Sequence, residues 1–316
     1  ALQLHTRCLS EGTIDATYEA ANAAAYYEVI LLLKDFLMSK AKLIAGFTCI
    51  HLTLSLFQVV AQETTQRNAV PQLDGIADAL QKYVDEHAVS GIVTLVGHKG
   101  KIVHLEAIGL ANIESNRKMR GASLFSIASM TKPIVATGIM ILQDEGKLNV
   151  DDEVSKYLPA FANLKLKSDV AAERQITIRD CLTHTSGLAG NQVFAGSLAA
   201  AVDELAGRPL AFQPGTKWQY SPGLNVAGRI IEVVSQQPLA TFLQQKIFEP
   251  LGMTNTSFTL DDEQKKRLAT IYAPGQDGKS LVAAENHITD LSENNGPNPS
   301  GGLVSNARDL FRFYQM

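Results

Sequence analysis

The sequence predicts an α+β fold in which a helical region lies beside an antiparallel sheet. Three observations lead to this prediction. Residues 72–88 carry apolar side chains at helical spacing. Two β-rich runs follow at residues 91–98 and 101–108, and most of the later pattern is helical, with Pro-containing and Gly-containing loops between the segments. The order of helix, hairpin and many helices is typical of α+β proteins.

The first helix and the hairpin are predicted from side-chain spacing and turn chemistry. The pair Lys99-Gly100 separates the two β-rich runs, and Gly in such a pair is typical of a tight hairpin turn. We therefore expect the two runs to pair as antiparallel strands. The apolar residues of the preceding helix recur three or four positions apart; they are Leu73, Ile76, Ala77, Leu80, Tyr83 and Val84.

Two later segments predict strongly apolar helices. Residues 129–145 are largely apolar on every face, as expected of a buried helix, and Gly146 follows as a C-cap. Residues 224–237 form the second such segment. Pro133 fixes the start of the first helix near Ser129, because proline is tolerated only in the first helical turn.

Composition excludes several classes of protein. The chain has 316 residues, a formal net charge of -4 and 46% hydrophobic residues, which indicates a globular protein without the basic face of a nucleic-acid binder. The three cysteines have no paired spacing, so a disulfide scaffold and a cysteine zinc site are excluded. The seven histidines form no H-E-x-x-H pair. This excludes an H-E-x-x-H zinc site, and the chemical motifs of the chain imply neither a metal nor an organic cofactor.

A leader is predicted near the N-terminus. Met38 is followed by Lys40 and Lys42 and then by an apolar run at 43–60 that ends in small or apolar residues before Ala61. This pattern is typical of a secretory signal peptide cleaved after Ala61, which predicts an exported protein, periplasmic or extracellular. An uncleaved N-terminal membrane anchor is the alternative, since the run is almost long enough to span a bilayer.

The predicted leader sets the segment boundaries that we expect in the chain. We expect residues 1–37 to be a non-native upstream segment, with a genuine N-terminal extension as the alternative, 38–61 to be the signal peptide and 62–71 a polar linker. Residues 72–316 form the main predicted domain. Its apolar helical pattern runs up to Met316 without a polar tail, so we expect this domain to be truncated at its C-terminus.

The first chemical motif is the S-x-x-K sequence of Ser129 and Lys132. Residues three apart share a helical face, so the Lys132 amine can reach the Ser129 hydroxyl. A serine hydroxyl needs a base to become a nucleophile, and the helix start offers a backbone N–H to an oxyanion. S-x-x-K is a short motif that also occurs by chance, with a surface serine and a solvated lysine as the plainer interpretation.

Further motifs in the order of a known family support the catalytic interpretation. With S-x-x-K, they resemble those of the serine β-lactamase and D-alanyl-D-alanine carboxypeptidase superfamily, and most closely the class C β-lactamase family, which includes D-alanyl-D-alanine carboxypeptidases and esterases. The resemblance implies a β-lactamase/transpeptidase-like fold. The motifs are ITIRDCLTHTSGL at 176–188, FQPGTKWQYSP at 212–222, FEPLGMTNT at 248–256 and GGLVSNARDL at 301–310.

The resemblance also implies roles for individual residues. Ser129 is the nucleophile and a backbone oxyanion donor, Lys132 the general base, and Tyr220 a proton-transfer group that serves the leaving group. Pro222 stands where the family has a substrate-binding Asn, so one substrate amide contact is expected to be missing, which favours esters over β-lactams or peptides. His184 invites a Ser–His–Asp interpretation with Ser129 or Ser186, but the resemblance makes His184 a structural loop residue.

The third motif of the family, K-T-G or H-x-G on an edge strand, does not occur C-terminal to the other motifs, where the family's order would place it. The resemblance places its strand beyond Met316, together with the second oxyanion donor. We therefore expect a stunted sheet with exposed Val and Ile side chains on one face. Without that strand, we expect the chain as given to be inactive.

The predicted function is that of an exported serine hydrolase that cleaves ester or amide bonds through an acyl-enzyme on Ser129. Its partner would be a small-molecule ester, β-lactam or cell-wall peptide, with no nucleic acid and, after cleavage of the leader, no stable membrane anchor. A β-lactamase or D-alanyl-D-alanine carboxypeptidase is the alternative among enzymes. A non-catalytic homologue that binds cell-wall peptide is the alternative from another class.

Overall fold

The structure is a computed structural model that describes residues 73, 75–190, 196–284 and 296–316. The predicted upstream segment at 1–37, the signal peptide at 38–61 and the linker at 62–71 lie outside the described residues. Within the described ranges, no helix has both the length and the apolar character needed to cross a membrane.

Helices and short strands alternate along the chain. The α-helices are α1 Ile76–Asp85, α2 Thr131–Asp144, α3 Ile178–Leu182, α4 Leu198–Ala206, α5 Gly223–Ser235, α6 Leu239–Leu243, α7 Glu249–Leu251, α8 Asp262–Arg267 and α9 Ala307–Phe313. Single 3₁₀ turns lie at Ala128–Met130, Val154–Lys156 and Pro159–Phe161, and a π-helical turn at Gln244–Phe248 continues α6. The strands are β1 Gly91–His98, β2 Lys101–Asn112, β3 Arg117–Lys118, β4 Phe125–Ser126, β5 Tyr272–Pro274, β6 Leu281–Ala283 and β7 Val304–Ser305.

The predicted hairpin is confirmed. β1 and β2 pair antiparallel from Gly91 opposite Gly109 to His98 opposite Lys101, with a bulge after Val96. β3 adds to the far side of β2, which gives a three-stranded sheet in the order β1-β2-β3. Helix α1 packs against this hairpin but is shorter than the predicted 72–88, because the chain turns into a left-handed conformation at His87.

The sheet is small, as the sequence predicts. Among the described residues, the largest sheet has three strands. The expectation that its Val and Ile side chains are exposed is wrong, because every Val and Ile side chain of β1 and β2 is half-buried. Helix α9 also contacts β1, and a Cβ added to Gly97 would lie 2.1 Å from the ring of Phe311. The aromatic ring therefore packs where this glycine leaves space.

The core lies between the helices. Helices α2 and α5 make the most extensive helix contact, and both contribute buried side chains to the core, such as Ile134 and Ile139 of α2 and Ile231 of α5. Burial of such aliphatic side chains is the main favourable contribution to folding, about 1.5–3 kcal/mol each. The prediction that α2 is buried on every face is wrong, because Met140 is 40% exposed.

A short strand pair connects the C-terminal segment to the start of α2. β4 pairs antiparallel with β7, with Phe125 opposite Ser305. The buried carboxylate of Asp309 on α9 accepts hydrogen bonds from Asn255 N at 2.7 Å and Thr256 Oγ1 at 3.1 Å. This carboxylate therefore fixes α9, and with it β7, against the loop at 252–256.

Candidate active site

Ser129 lies in a sharp turn between β4 and α2. The preceding residue, Ala128, has a φ of 44°, in the left-handed region that costs an L-residue other than glycine about 1–2 kcal/mol. Ser129 is the exposed middle residue of the 3₁₀ turn that runs into α2. Next to it, Thr131 is fully buried. The turn therefore presents the Ser129 hydroxyl to solvent at a helix N-terminus that the buried Thr131 side chain anchors in the core.

The chain around Gly302 holds this turn in place. Ile127 N donates to Leu303 O at 3.0 Å, and Leu303 N donates to Thr131 Oγ1 at 3.2 Å. These two hydrogen bonds lie on either side of Ser129 in the sequence. The GGLVSNARDL motif thus supports the backbone from which Ser129 projects.

Lys132 makes the contact that its spacing predicts. Its Nζ donates to Ser129 Oγ at 3.1 Å and to the backbone oxygen of Ser300 at 2.6 Å. The same Nζ lies 4.6 Å from the centroid of the Tyr220 ring, within cation–π distance. The amine is therefore held between the nucleophile candidate, one carbonyl and one aromatic face.

Tyr220 completes the cluster. Its Oη donates to Ser129 Oγ at 2.6 Å, and 52% of the residue is exposed. Partial burial acts to raise the pKa of the phenol, but hydrogen bonds with Lys132 and Ser129 and the Lys132 charge outweigh it, so the pKa lies below its ordinary value. We define Ser129, Lys132 and Tyr220 as the hydroxyl cluster. The predicted geometry is present; the catalytic roles of these residues stay predictions.

Two loops bonded to each other position Tyr220. Gly215 N donates to Thr185 O at 2.8 Å, Gln219 N to His184 O at 3.0 Å, and Ala211 N to Gly187 O at 2.8 Å. The loop at 183–188 therefore lies alongside the segment at 211–220 over its length. This pairing connects the THTSG motif with the segment that ends at Tyr220.

Asp180 organises the base of the 183–188 loop. Both of its oxygens accept hydrogen bonds from Arg174, at 2.6 and 2.9 Å, and Thr177 and Thr185 also donate to it. Burial acts to raise the pKa of Asp180, but these hydrogen bonds outweigh that effect and hold the pKa below its ordinary value. The carboxylate caps α3 and fixes the start of the loop at the same time.

His184 contacts Tyr220 rather than Ser129. Its Nδ1 lies 3.2 Å from both the backbone N and the Oγ of Ser221, and its ring stacks on Tyr220. Ser186 is fully buried. These positions give no support to a triad built on His184. Sequence reasoning correctly placed His184 in a loop but missed its contact with Tyr220, for which the spacing carries no signal.

Pro222 is buried two residues after Tyr220. It occupies the N-cap position of α5, where its side chain offers no hydrogen-bond donor. The nearby Asn225 is also buried, on the first turn of α5.

The backbone oxygen of Ser300, which sequence reasoning did not identify, contacts Lys132. Across the described segments, no group of three or more His, Cys, Asp or Glu residues could hold a metal ion.

Comparison with known proteins shows which family the sequence matches. The pattern that defines the family described as Beta-lactamase matches residues 76–316. An uncharacterized protein of Mycobacterium tuberculosis is 33% identical over 267 residues, 77% of this chain and 66% of its own length. Esterase EstB of Burkholderia gladioli is 32% identical over 274 residues, 76% of this chain and 68% of the esterase.

A third relative is named as a penicillin-binding protein. The putative penicillin-binding protein PbpX of Bacillus subtilis is 30% identical over 239 residues, 75% of this chain and 56% of its own length. The chain therefore spans between 56% and 68% of the length of these three relatives.

Solved structures confirm the predicted fold class. EstCE1, a hydrolase with promiscuous acyltransferase activity, matches with a TM-score of 0.70 at 24% identity, over 76% of this chain and 70% of EstCE1. The D-alanine carboxypeptidase AmpC of Burkholderia cenocepacia matches with a TM-score of 0.61 at 25% identity, over 77% of this chain and 63% of the carboxypeptidase. The α+β, β-lactamase/transpeptidase-like architecture is common to all three.

Proposed function

Because the chain belongs to the beta-lactamase family, we propose that the protein is an exported serine hydrolase that cleaves ester bonds through an acyl-enzyme on Ser129. The observation that carries this proposal is the hydroxyl cluster. Ser129 Oγ accepts hydrogen bonds from Lys132 Nζ at 3.1 Å and from Tyr220 Oη at 2.6 Å. A nucleophile within reach of two proton carriers is the arrangement that covalent catalysis needs.

In the acylation step, Ser129 Oγ attacks the carbonyl carbon of the ester. Its proton passes to Lys132, which acts as general base, while the Oγ–C bond forms. The backbone N–H of Ser129 at the helix start stabilises the negative charge on the carbonyl oxygen. The C–O bond to the alcohol then breaks, and the alcohol leaves with the proton of Tyr220, which takes up the proton held by Lys132.

In the deacylation step, the same groups act on water. The proton of the attacking water passes to Lys132, which gave up its extra proton at the end of acylation, as the water oxygen binds the acyl carbon. The bond between the acyl carbon and Ser129 Oγ breaks, and Ser129 recovers its proton. The acid is released and the cluster returns to its starting state.

An ester is favoured over an amide as substrate for two reasons. Pro222 offers no side-chain donor at the position that resembles the family's substrate-binding Asn. Among the relatives, EstB of Burkholderia gladioli is named as an esterase. The β-lactamase or D-alanyl-D-alanine carboxypeptidase alternative is supported by the likeness to the penicillin-binding protein of Bacillus subtilis and the carboxypeptidase of Burkholderia cenocepacia. Export of the protein is supported by the leader pattern at 38–61.

Steady-state kinetics on the full-length protein test the proposal. We expect short-chain p-nitrophenyl esters to be hydrolysed with a higher kcat/KM than nitrocefin or benzylpenicillin. Ser129→Ala should lower kcat for the ester by about 10³-fold or more, since it removes the nucleophile. Ser168→Ala, at an exposed serine outside the site, should leave kcat unchanged. Unchanged ester hydrolysis in Ser129→Ala would overturn the mechanism, and efficient nitrocefin turnover with slow ester turnover would overturn the ester preference.

A further inference from the structure

The His184 side chain supports Tyr220 from the side. The two ring centroids lie 4.6 Å apart with the planes inclined by 33°, so the imidazole covers part of the phenol face. Trp218 packs edge-on against the same imidazole at 6.0 Å. Stacked aromatic contacts of this kind contribute about 0.5–1.5 kcal/mol beyond the buried area.

The residues on both sides of Tyr220 are also bonded to His184. Gln219 N donates to the backbone oxygen of His184 at 3.0 Å, and Ser221 N donates to its Nδ1 at 3.2 Å. Tyr220 is thus held between two residues whose backbone amides are both bonded to the same histidine. A change at His184 therefore acts directly on the position of the Tyr220 phenol.

The backbone of His184 is unusual. Its φ of 62° lies in the left-handed region, which a histidine occupies at a cost. Backbone strain of this kind persists when the surrounding contacts fix it, and it is concentrated at functional sites. Here the strained conformation lets the ring of His184 reach Ser221 while its carbonyl accepts from Gln219.

The hydrogen bond from Ser221 determines the protonation state of the ring. Because Ser221 N donates to Nδ1, this nitrogen carries a lone pair and the ring proton is on Nε2. The titratable or charged groups that face the ring are Lys132 from α2 and Tyr220 from its own segment. Burial, followed by the positive charge of Lys132, lowers the pKa of His184 below its ordinary value, which favours the neutral form.

We propose that His184 is a positioning residue for Tyr220, that it acts as the neutral Nε2–H imidazole, and that its protonation withdraws Tyr220 from Ser129. The step is a simple protonation. Hydronium transfers a proton to Nδ1 and is left as water, the Ser221 N–H loses its acceptor, and a second positive charge is placed near Lys132. The inference rests on the proposed function. It adds that the position of Tyr220 depends on His184 and is therefore sensitive to acid.

Two variants separate the contribution of the Nδ1 acceptor of His184 from that of its ring. His184→Asn keeps an acceptor at the place of Nδ1 and tolerates the left-handed backbone, but it does not titrate. His184→Phe keeps a ring against Tyr220 and removes the acceptor. The matched control is His87→Asn, because His87 has a similar φ of 56° and lies at the exposed end of α1.

The kinetic test measures kcat and KM for a p-nitrophenyl ester between pH 5 and 8. We expect wild-type kcat to fall on acidification through an ionisation below about pH 6.5, the ordinary pKa of histidine. The ratio of kcat at pH 5 to kcat at pH 8 should be about tenfold higher in His184→Asn than in wild type. His184→Phe should lower kcat about tenfold throughout with KM within twofold, and His87→Asn should match wild type.

A spectroscopic test uses the wild-type protein and needs no variant to fold. The ¹⁵N spectrum of the His184 ring at pH 8 should show the proton on Nε2, and a proton on Nδ1 would overturn the proposal. Identical normalised pH profiles for wild type and His184→Asn would also overturn it. If a fluorophosphonate fails to label Ser129, the proposed function fails; if labelling succeeds but the pH profiles coincide, the role of His184 alone fails.

Discussion

The phenol of Tyr220 donates a 2.6 Å hydrogen bond to Ser129 Oγ, although 91 residues separate the two in the sequence. The two residues lie on different parts of the fold. Ser129 projects from the turn between β4 and α2, and Tyr220 ends a segment bonded to the loop at 183–188. The chemistry proposed for this protein depends on both parts keeping their relative position.

Tyr220→Phe tests whether the phenolic oxygen takes part in catalysis. The variant keeps the ring that stacks on His184 and faces Lys132, and it removes the oxygen bonded to Ser129. We expect kcat for ester hydrolysis to fall by about 10²-fold or more, the usual contribution of an acid–base group. Tyr314→Phe, at an exposed tyrosine in the C-terminal segment, is the control and should retain wild-type kcat. Equal kcat for both variants would contradict the role of Tyr220.

Asp180→Asn tests the support of the 183–188 loop. It weakens the hydrogen bonds from Arg174, Thr177 and Thr185 to a buried carboxylate, so the free energy of unfolding should fall by about 2–3 kcal/mol at pH 7. Urea denaturation monitored by circular dichroism measures this change. The control is Asp151→Asn, whose partner Arg179 forms a similar two-point contact at an exposed site, and which should change stability much less.

The same carboxylate predicts a pH dependence of stability. The pKa of Asp180 in the folded protein lies below its ordinary value. Its contribution is therefore present above the pKa of the unfolded chain, about 3.9, and is lost as the pH falls through the folded pKa. The stability difference between wild type and Asp180→Asn should thus be full at pH 7 and smaller near pH 3. A difference that stays constant over this range would contradict the assignment.

Gly187→Ala tests the close approach of the two loops. Gly187 has a φ of 79°, and a Cβ there would lie 2.4 Å from the backbone oxygen of Phe212. We expect a loss of about 2–4 kcal/mol in the free energy of unfolding, from left-handed strain and from a clash that only backbone movement can relieve. The variant should also lower kcat, because the displaced segment ends at Tyr220.

Gly146→Ala is the matched control for this prediction. Gly146 has a similar φ of 69° after α2, but an added Cβ would meet no atom within 4 Å. The variant should lose about 1–2 kcal/mol from strain alone and keep its kcat. Equal losses in the two variants would show that the contact with Phe212 does not matter.

Local geometry explains which features could be predicted from the sequence. The contact between Ser129 and Lys132 follows from helical spacing and from Pro133, which limits where the helix can start. The β1–β2 hairpin follows from two apolar runs and a Gly turn. These features depend on residues close together in the chain.

The features that could not be predicted depend on tertiary contacts. Periodicity indicates that α2 is apolar but not which neighbours cover it, so the exposure of Met140 was missed. Each strand of the β4–β7 pair has two residues, which is too short for an alternating pattern to be visible. The contact of His184 with Tyr220 depends on left-handed backbone at His184, which no spacing rule indicates for a histidine.

The most direct test of the central claim is covalent trapping of Ser129. The full-length protein is incubated with a fluorophosphonate; Ser129 Oγ would bind the phosphorus, and fluoride would leave with the serine proton as hydrogen fluoride. Intact mass spectrometry and peptide mapping should find one adduct per chain, on Ser129, and none in Ser129→Ala. An unlabelled wild-type protein, or an adduct on another serine such as Ser186, would contradict the account.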